Sequence, residues 1–228
     1  MKNIVLSIGG SILLTDHGDV EYIKRLAGLL EGVSSKTKLF VVVGGGRLAR
    51  EYIAIARRLG SDETYLDEIG IMATRMNAML LISALKDMSN PMPYSNVETA
   101  LEHKDMFKVI VMCGTNPQQT TDAVAASLAE RLDAAVFINA TAVDGVYDKD
   151  PKKDRKAKMF KNMTYDGLDG LVSGSLTGAG SHAPMDAQAS RIIKRAKIRT
   201  YVLNGRDLPN FENALIGKAF KGTIISNR

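Results

Sequence analysis

Tryptophan is absent from the 228-residue sequence, cysteine occurs once, histidine three times and proline six times. The single cysteine, Cys113, excludes an internal disulfide and fits a reducing compartment. It ends an apolar run and reads as buried packing rather than as a nucleophile. His17, His103 and His182 are scattered and set no metal-ligand spacing. No Gly-x-x-x-x-Gly-Lys-Ser/Thr loop is present, which excludes a P-loop nucleotide binder, and no Gly-x-Gly-x-x-Gly follows the first strand, which counts against a dinucleotide fold. No serine occupies a nucleophile elbow. No apolar stretch is read as long enough for a membrane span, and no signal peptide is expected, because the chain runs straight into a strand. A dense basic block is also missing. The nearest, Lys152-Lys153-Asp154-Arg155-Lys156, is broken by an acid and reads as a solvated loop. The net charge of +5 and pI near 9.2 therefore suit anionic small molecules at least as well as nucleic acid. A cytoplasmic protein without nucleic-acid or membrane partners is the expectation.

What is present is ordinary for a globular chain: 45% hydrophobic and 24% charged residues, enough for one large domain or two small ones. One stretch organises the rest. Lys38-Leu39-Phe40-Val41-Val42-Val43 is a short apolar, β-branched run of the kind buried on both faces of a sheet, and it ends in Gly44-Gly45-Gly46. Leu48, Ala49, Tyr52, Ile53, Ile55, Ala56 and Leu59 then recur at helical spacing up to Gly60, a usual C-cap. The glycines thus sit at a strand-to-helix turn, where bare backbone approaches a ligand closely and helix-start N–H groups receive an anion. Arg47 and Arg50, read as first-turn residues, oppose the helix dipole there. A bound phosphate explains them; two solvated arginines beside a tight turn are the plainer alternative.

Three further strands end in polar turns. Residues 3–8 run into Gly9-Gly10-Ser11, where Ser11 caps a helix or serves a phosphate. Residues 108–113 run into Gly114-Thr115-Asn116-Pro117-Gln118-Gln119-Thr120-Thr121-Asp122, richer in hydroxyl and amide groups than one helix cap requires. Thr121 or Asp122 caps the alanine-rich helix that follows. Residues 134–139 lead into 140–151. Helices are expected at 19–33 and 61–88, with a Met-rich face in the latter read as core packing. Asp67 and Arg75 are its polar residues that face a ligand or else solvent. A short connection follows Pro91 and Pro93. Residues 152–163 read as an exposed excursion, 165–172 as a short helix and 173–181 as a mobile Gly/Ser stretch. A helix at 185–196, a strand at 200–203, a short helix at 210–216 and a strand at 223–225 complete the chain.

Strands alternating with helices imply a mostly parallel sheet with helices on both faces and ligands beyond the strands' carboxyl ends. Four polar loops on that edge argue for an extended site holding more than one group. Glycine turns, Thr/Asp loops and basic side chains suit phosphoryl transfer, where positioning and charge neutralisation do most of the work. Mg²⁺ would then be held mainly by nucleotide phosphates and water, which agrees with the lack of a protein metal cage.

The sequence resembles the amino acid kinase family, and within it the archaeal-type uridylate (UMP) kinases. The resemblance covers nearly the whole length. It is carried by Ile8-Gly9-Gly10-Ser11, Val43-Gly44-Gly45-Gly46-Arg47-Leu48-Ala49-Arg50, Asp67-Glu68-Ile69-Gly70-Ile71, Thr74-Arg75-Met76-Asn77-Ala78, Gly114-Thr115-Asn116-Pro117, Thr120-Thr121-Asp122-Ala123 and Asp144-Gly145-Val146-Tyr147-Asp148-Lys149-Asp150-Pro151. It implies a single domain: a three-layer αβα sandwich with a mainly parallel, about eight-stranded sheet, residues 1–135 holding UMP and 136–228 holding ATP, assembled as a homohexamer. It implies Mg²⁺-dependent transfer of the ATP γ-phosphoryl group to UMP, in pyrimidine nucleotide biosynthesis.

By the same resemblance Gly10 and Ser11 bind the transferred phosphoryl, and Gly44, Gly45 and Arg50 bind phosphates between the two substrates. Asp67 meets the UMP ribose. Thr115, Asn116, Pro117, Thr120 and Thr121 line the uridine. Thr141, Tyr147 and Asp150 hold ATP. Asp122 orients groups at the reacting phosphates, with Arg50 and Gly10 as the other catalytic candidates. Asp186 is either a second organising carboxylate or only a helix cap. The sequence departs from the family pattern at two places: many members carry lysine where Ser7 stands, and bacterial UMP kinases carry lysine where Asn139 stands. Arg50, Arg47, Mg²⁺ or a lysine of 149–161 then supplies the missing charge. The alternatives are a sister kinase acting on another phosphate, carboxylate or carbamate acceptor, and a non-catalytic nucleotide-binding protein.

Overall fold

Runs of β-branched and aromatic residues with no polar interruption can only be strands covered on both sides, and they make the centre of the molecule. The computed structural model describes residues 1–14, 20–174 and 184–227. In it Lys2–Ile8 (β1), Thr37–Val43 (β2), Val109–Met112 (β3) and Val136–Thr141 (β4) lie parallel. Asn162–Met163 (β5), Thr200–Asn204 (β6) and Thr223–Ile225 (β7) complete the sheet. Its order is β3-β2-β1-β4-β6-β7-β5, with β7 antiparallel to β6. The described residues thus give seven strands, against about eight expected, in a mainly parallel sheet as expected.

Alternation along each strand divides the core in two. Ile4, Leu6 and Ile8 face one side with Leu39, Val41, Val43, Ile138 and Ala140. Val20–Ser34 (α2) supplies Leu26 and Leu30 to that side, both fully buried, with Glu63–Leu85 (α4) and Leu208–Leu215 (α9) beside it. Val5 faces the other side with Phe40, Val42 and Phe137. There Thr121–Arg131 (α6), Tyr165–Val172 (α7) and Ala187–Ala196 (α8) cover the sheet. Truncating Leu30 to Ala would cost about 2–5 kcal/mol.

Three remaining helices are Gly10–Leu13 (α1), Gly46–Arg58 (α3) and Val97–Glu102 (α5). The last stands in the expected short connection, capped by Asn96, whose side chain accepts from Glu98 N at 2.7 Å. The excursion over 152–163 ends in β5, a strand of two residues and too short to leave a periodic trace. The Gly/Ser-rich stretch expected from Ser173 falls outside the described residues over 175–183, together with His182; His17 and Asp19 lie in the other undescribed segment.

The α4 helix starts at Asp62, whose side chain accepts from Tyr65 N at 2.9 Å, and ends at Lys86, with φ of 52°. Within Glu63–Met88 an 18-residue stretch has a mean hydropathy of 1.3, so the helix is long and apolar enough, by length and composition alone, to cross a membrane. That corrects the expectation that no stretch reaches this length. The helix packs on α2 and α3, however, and its apolar side chains are divided between the core and an exposed row at Met72, Met76, Met79 and Leu80. The expected all-core Met face is corrected in the same way.

From β1 the sheet grows in both directions, through β2 to β3 and through β4 to β6. That reversal opens a crevice at the carboxyl ends of neighbouring strands. The register brings Ile8, Val43 and Ala140 level, so the turns after β1, β2 and β4 meet there.

Candidate active site

Two glycine turns interlock at the crevice. Gly9 N donates to Ala140 O at 3.2 Å and Gly44 N to Ile8 O at 2.9 Å, which ties each turn to its neighbouring strand. A Cβ on Gly10 would collide with Gly44 O and would lie 2.5 Å from Gly46 N. Gly46 has φ of +64°, which side-chain-bearing residues rarely adopt. The glycines expected to meet phosphates therefore also fit against each other. Ser11 lies inside α1 rather than capping it; the helix has no side-chain cap. Arg47 is exposed and pairs with Glu51 at 3.4 Å, while Arg50 opens the second turn of α3, exposed, rather than the first.

The second turn is held from behind by a residue whose role the sequence hides. Asn77, 1% exposed in the apolar α4 helix, donates through Nδ2 to Gly44 O at 2.8 Å and Gly45 O at 3.0 Å. Thr74, one turn earlier, accepts from Gly114 N at 2.8 Å and so fixes the start of the loop after β3. Asp67, another two turns back, accepts from Gln118 N at 2.8 Å. Gln118 has φ of 65°, a strained conformation for a non-glycine residue. One face of α4 thus positions both the glycine turn and the polar loop.

A cavity of about 320 Å³ opens between them, lined by Gly45, Asp67, Asn116, Gln119, Thr120 and Thr121 among others. The structure brings these expected acceptor-side residues together. Gly44 borders Thr121, whose hydroxyl would lie 3.4 Å from a Cβ at Gly44. Thr115 Oγ1 donates to Gln119 Oε1 at 2.9 Å, and Pro117 belongs to the same loop; neither lines the cavity. Arg75 is exposed and does not line it either.

At the floor of the crevice Ser7 and Asn139 are register partners on the sheet face that α6 covers, 2% and 3% exposed. Asp122, in the first turn of α6, meets both. Ser7 Oγ donates to Asp122 Oδ1 at 2.6 Å, and the Asn139 side chain also hydrogen-bonds it. The two positions where the family resemblance implies lysine therefore carry neutral donors aimed at one carboxylate. Burial pushes the Asp122 carboxyl up from 3.8 to about 6, with the nearby Asp186 charge acting in the same direction and the Ser7 and Asn139 bonds against it. The cap of α6 is neither Thr121 nor Asp122 but Thr120, which accepts from Ala123 N at 3.1 Å and donates to Asp186. Asp186 caps α8, accepting from Gln188 N at 2.7 Å and Ala189 N at 3.0 Å.

On the other flank lie the expected donor-side residues. Thr141 ends β4, its carbonyl accepting from Gly205 N at 2.9 Å. Tyr147 bridges to Met159, and the Asp150 carboxylate accepts from Lys152 N at 2.9 Å. Asp144 binds Lys221 Nζ at 2.5 Å and Asn204 Nδ2 at 3.2 Å, and the lysine holds its carboxyl below the usual range. Thr141 is thus tied to the turn after β6, while Tyr147 and Asp150 lie on one loop with bonds to nearer neighbours. Among the described residues no three His, Cys, Asp or Glu side chains gather as a metal cluster would.

Known proteins place this arrangement. The chain is 48% identical over 223 residues to a protein of Archaeoglobus fulgidus named uridylate kinase, covering 98% of this chain and 99% of that one. It is 46% identical over 226 residues to the uridylate kinase of Methanospirillum hungatei, covering 99% and 95%. The crystal structure of uridylate kinase from Archaeoglobus fulgidus superposes with a TM-score of 0.88 at 46% identity, over 99% of this chain and all of that one. Residues 2–204 match the amino acid kinase family, and with full-length relatives at this identity the chain belongs to that family.

Proposed function

We propose that the protein is a UMP kinase, transferring the ATP γ-phosphoryl group to UMP to give UDP and ADP. The observation that carries this reading is the cavity between the β2 turn and the loop after β3, with Asp67, Asn116, Thr120 and Thr121 around it, in a chain whose full-length relatives are named uridylate kinases. A uridine is read there by hydroxyl and amide groups, its phosphate lying towards Gly44, Gly45 and Arg50. ATP occupies the flank of Thr141, Tyr147 and Asp150, its terminal phosphoryl facing Gly10 and Ser11. The acceptor is a phosphate oxygen that is already anionic, so no strong base is required. The barrier is repulsion between two polyanions, which turn amides at both glycine sites reduce. Asp122, held by Ser7 and Asn139, orients groups at that meeting point.

Mg²⁺ fits this donor set as a cation carried on the ATP phosphates, since the described residues offer no cluster of three acidic or imidazole ligands. When bound it neutralises phosphate charge that the lysines absent at positions 7 and 139 would otherwise offset. We assign the reaction to the cytoplasm and to pyrimidine nucleotide synthesis.

The exposed apolar row on α3 and α4 supports self-association: Tyr52, Ile55, Leu59, Met72, Met76 and Met79 stand in solvent on the single chain. A shallow cavity of about 200 Å³ between Leu48, Tyr52, Ile69, Met72 and Met76 receives side chains of a second copy. Light scattering decides whether the assembly is the hexamer that the family resemblance implies; a monomer would sink this part.

The function is tested by coupled ADP release with ATP–Mg²⁺ over UMP, CMP, AMP, carbamate, glutamate analogues and isopentenyl phosphate. Turnover with UMP alone is expected. Turnover with another acceptor would overturn the substrate, and ATP binding without any turnover would overturn the enzyme.

A further inference from the structure

One hydroxyl bonds the start of α6 to the start of α8. Thr120 Oγ1 has a single proton to donate, and it goes to Asp186 Oδ2 across 66 residues of sequence. The same oxygen accepts from Ala123 N at 3.1 Å and caps α6. Asp186 is equally committed, its Oδ1 accepting from Gln188 N and Ala189 N at 2.7 and 3.0 Å. The cap of one helix is therefore bonded to the cap of the other. A second tether lies two residues before Asp186, where Asn139 Nδ2 donates to Pro184 O at 3.0 Å. Asn139 also hydrogen-bonds Asp122, and the Asp186 charge acts on Asp122 directly. The start of α8 is thereby tied to α6 through Thr120 and to β4 through Asn139.

We propose that Thr120 is a positioning residue, which clamps the start of α8 to the start of α6 and holds Asp186 in fixed relation to Asp122. This replaces the expectation that its hydroxyl serves the uridine, and it rests on the UMP kinase reading for its kinetic readout. The hydroxyl proton is already given to a carboxylate, so a nucleotide at this point meets an acceptor and a methyl group, not a donor. Thr121, next in the chain, carries no such internal bond among the described residues and is left to face the ligand. The alanine that would suffice to extend α6 would leave Asp186 Oδ2 without its partner.

Thr120→Val keeps the shape and removes the hydroxyl; Thr120→Ser keeps the hydroxyl. With Val, kcat is expected to fall between about 10- and 100-fold while KM for UMP stays within about twofold, the mark of misplaced catalytic groups rather than lost binding. Ser restores kcat to within about threefold. Asp186→Asn weakens the same bond from its other end, and the double variant with Thr120→Val is expected to lose no more than the worse single variant. A tenfold rise in KM for UMP with kcat preserved would overturn the clamp in favour of a nucleotide contact. Additive losses in the double variant would also overturn it. Amide exchange at Gln188 and Ala189 reads the clamp without any turnover: it should quicken in Thr120→Val, and unchanged exchange would refute the proposal. Quickened exchange in a protein that does not phosphorylate UMP would keep the clamp and remove the UMP reading alone.

Discussion

The two flanks of the crevice are built differently. On the acceptor flank the bonds that shape the site reach far along the chain: Asn77 to Gly44 over 33 residues, Thr74 to Gly114 over 40 and Asp67 to Gln118 over 51. All three start from one rigid helix. On the donor flank only the bonds within 147–158 are short in sequence. Asp150 reaches Lys152 N, Asp154 reaches Lys156 N, and Asp148 reaches Lys158 N at 2.7 Å. The base of that loop is anchored to distant elements, Asp144 to Lys221 and Asn204, and Val146 N to Thr223 Oγ1 at 2.8 Å. A site fixed by long-range bonds to a buried helix is formed before its ligand arrives, and little ordering entropy is lost on binding. A loop closed mainly on itself adapts. On the proposed reading the acceptor, whose identity matters most, would meet the formed flank, and the triphosphate, recognised by charge, the adaptable one.

Substitutions break this contrast in order of expected size. Gly10→Ala forces a methyl group into Gly44 O and the Gly46 amide, displacing both phosphate turns together. Steady-state turnover should fall by at least about 10³-fold, beyond the loss expected for a single missing donor. Asp122→Asn should lower kcat by about 100-fold and yet stabilise the protein at alkaline pH. The carboxyl has a folded value of about 6, above its unfolded 3.8, so its favourable contribution is present below about pH 4 and lost as pH rises through 6. Denaturant titration should show the amide variant gaining up to roughly 3 kcal/mol at pH 8 and nothing at pH 4. A variant equally stable at both pH values would mean that Asp122 is not strained by burial.

Asn77→Ala leaves the buried Gly44 O without its side-chain donor and Gly45 O with Ala49 N alone, and should cost about 1–3 kcal/mol of unfolding free energy, with a rise in KM for UMP. Asp67→Asn should raise KM for UMP about tenfold with KM for ATP unchanged, because it loosens Gln118 and, on the proposed reading, would weaken the ribose contact. At the small end, Asp154→Ala removes two bonds local to the donor loop, from Lys156 N and Lys149 Nζ, and should change KM for ATP less than about threefold, with unfolding unchanged within about 0.5 kcal/mol. An effect on UMP from Asp154, or on ATP from Asp67, would erase the distinction between the flanks.

The same contrast explains what the sequence reveals. The strand ends and both glycine turns were legible, because continuous apolar runs and adjacent glycines are local signals. The helices at 165–172 and the strand at 223–225 fell where spacing placed them. Asn77 and Thr74 were hidden inside a helix whose pattern is apolar; a polar residue there signals a buried acceptor only once the neighbouring turn is placed. The positive φ of Gln118 has no local sequence mark, and the Thr120–Asp186 bond joins segments that nothing short-range relates. The missing lysines at Ser7 and Asn139 were visible as absences, but their meeting on Asp122 follows from strand register.

The central claim is that one formed flank takes UMP and one adaptable flank takes ATP. Amide hydrogen exchange on the free protein, with UMP alone and with a non-hydrolysable ATP analogue plus Mg²⁺, tests it most directly. The account predicts that Gly114 and Gln118 are protected before any ligand is added and gain further protection with UMP only, while 148–158 exchanges freely until the ATP analogue binds. Protection of 148–158 by UMP, or unprotected amides at Gly114 and Gln118 in the free protein, would contradict it.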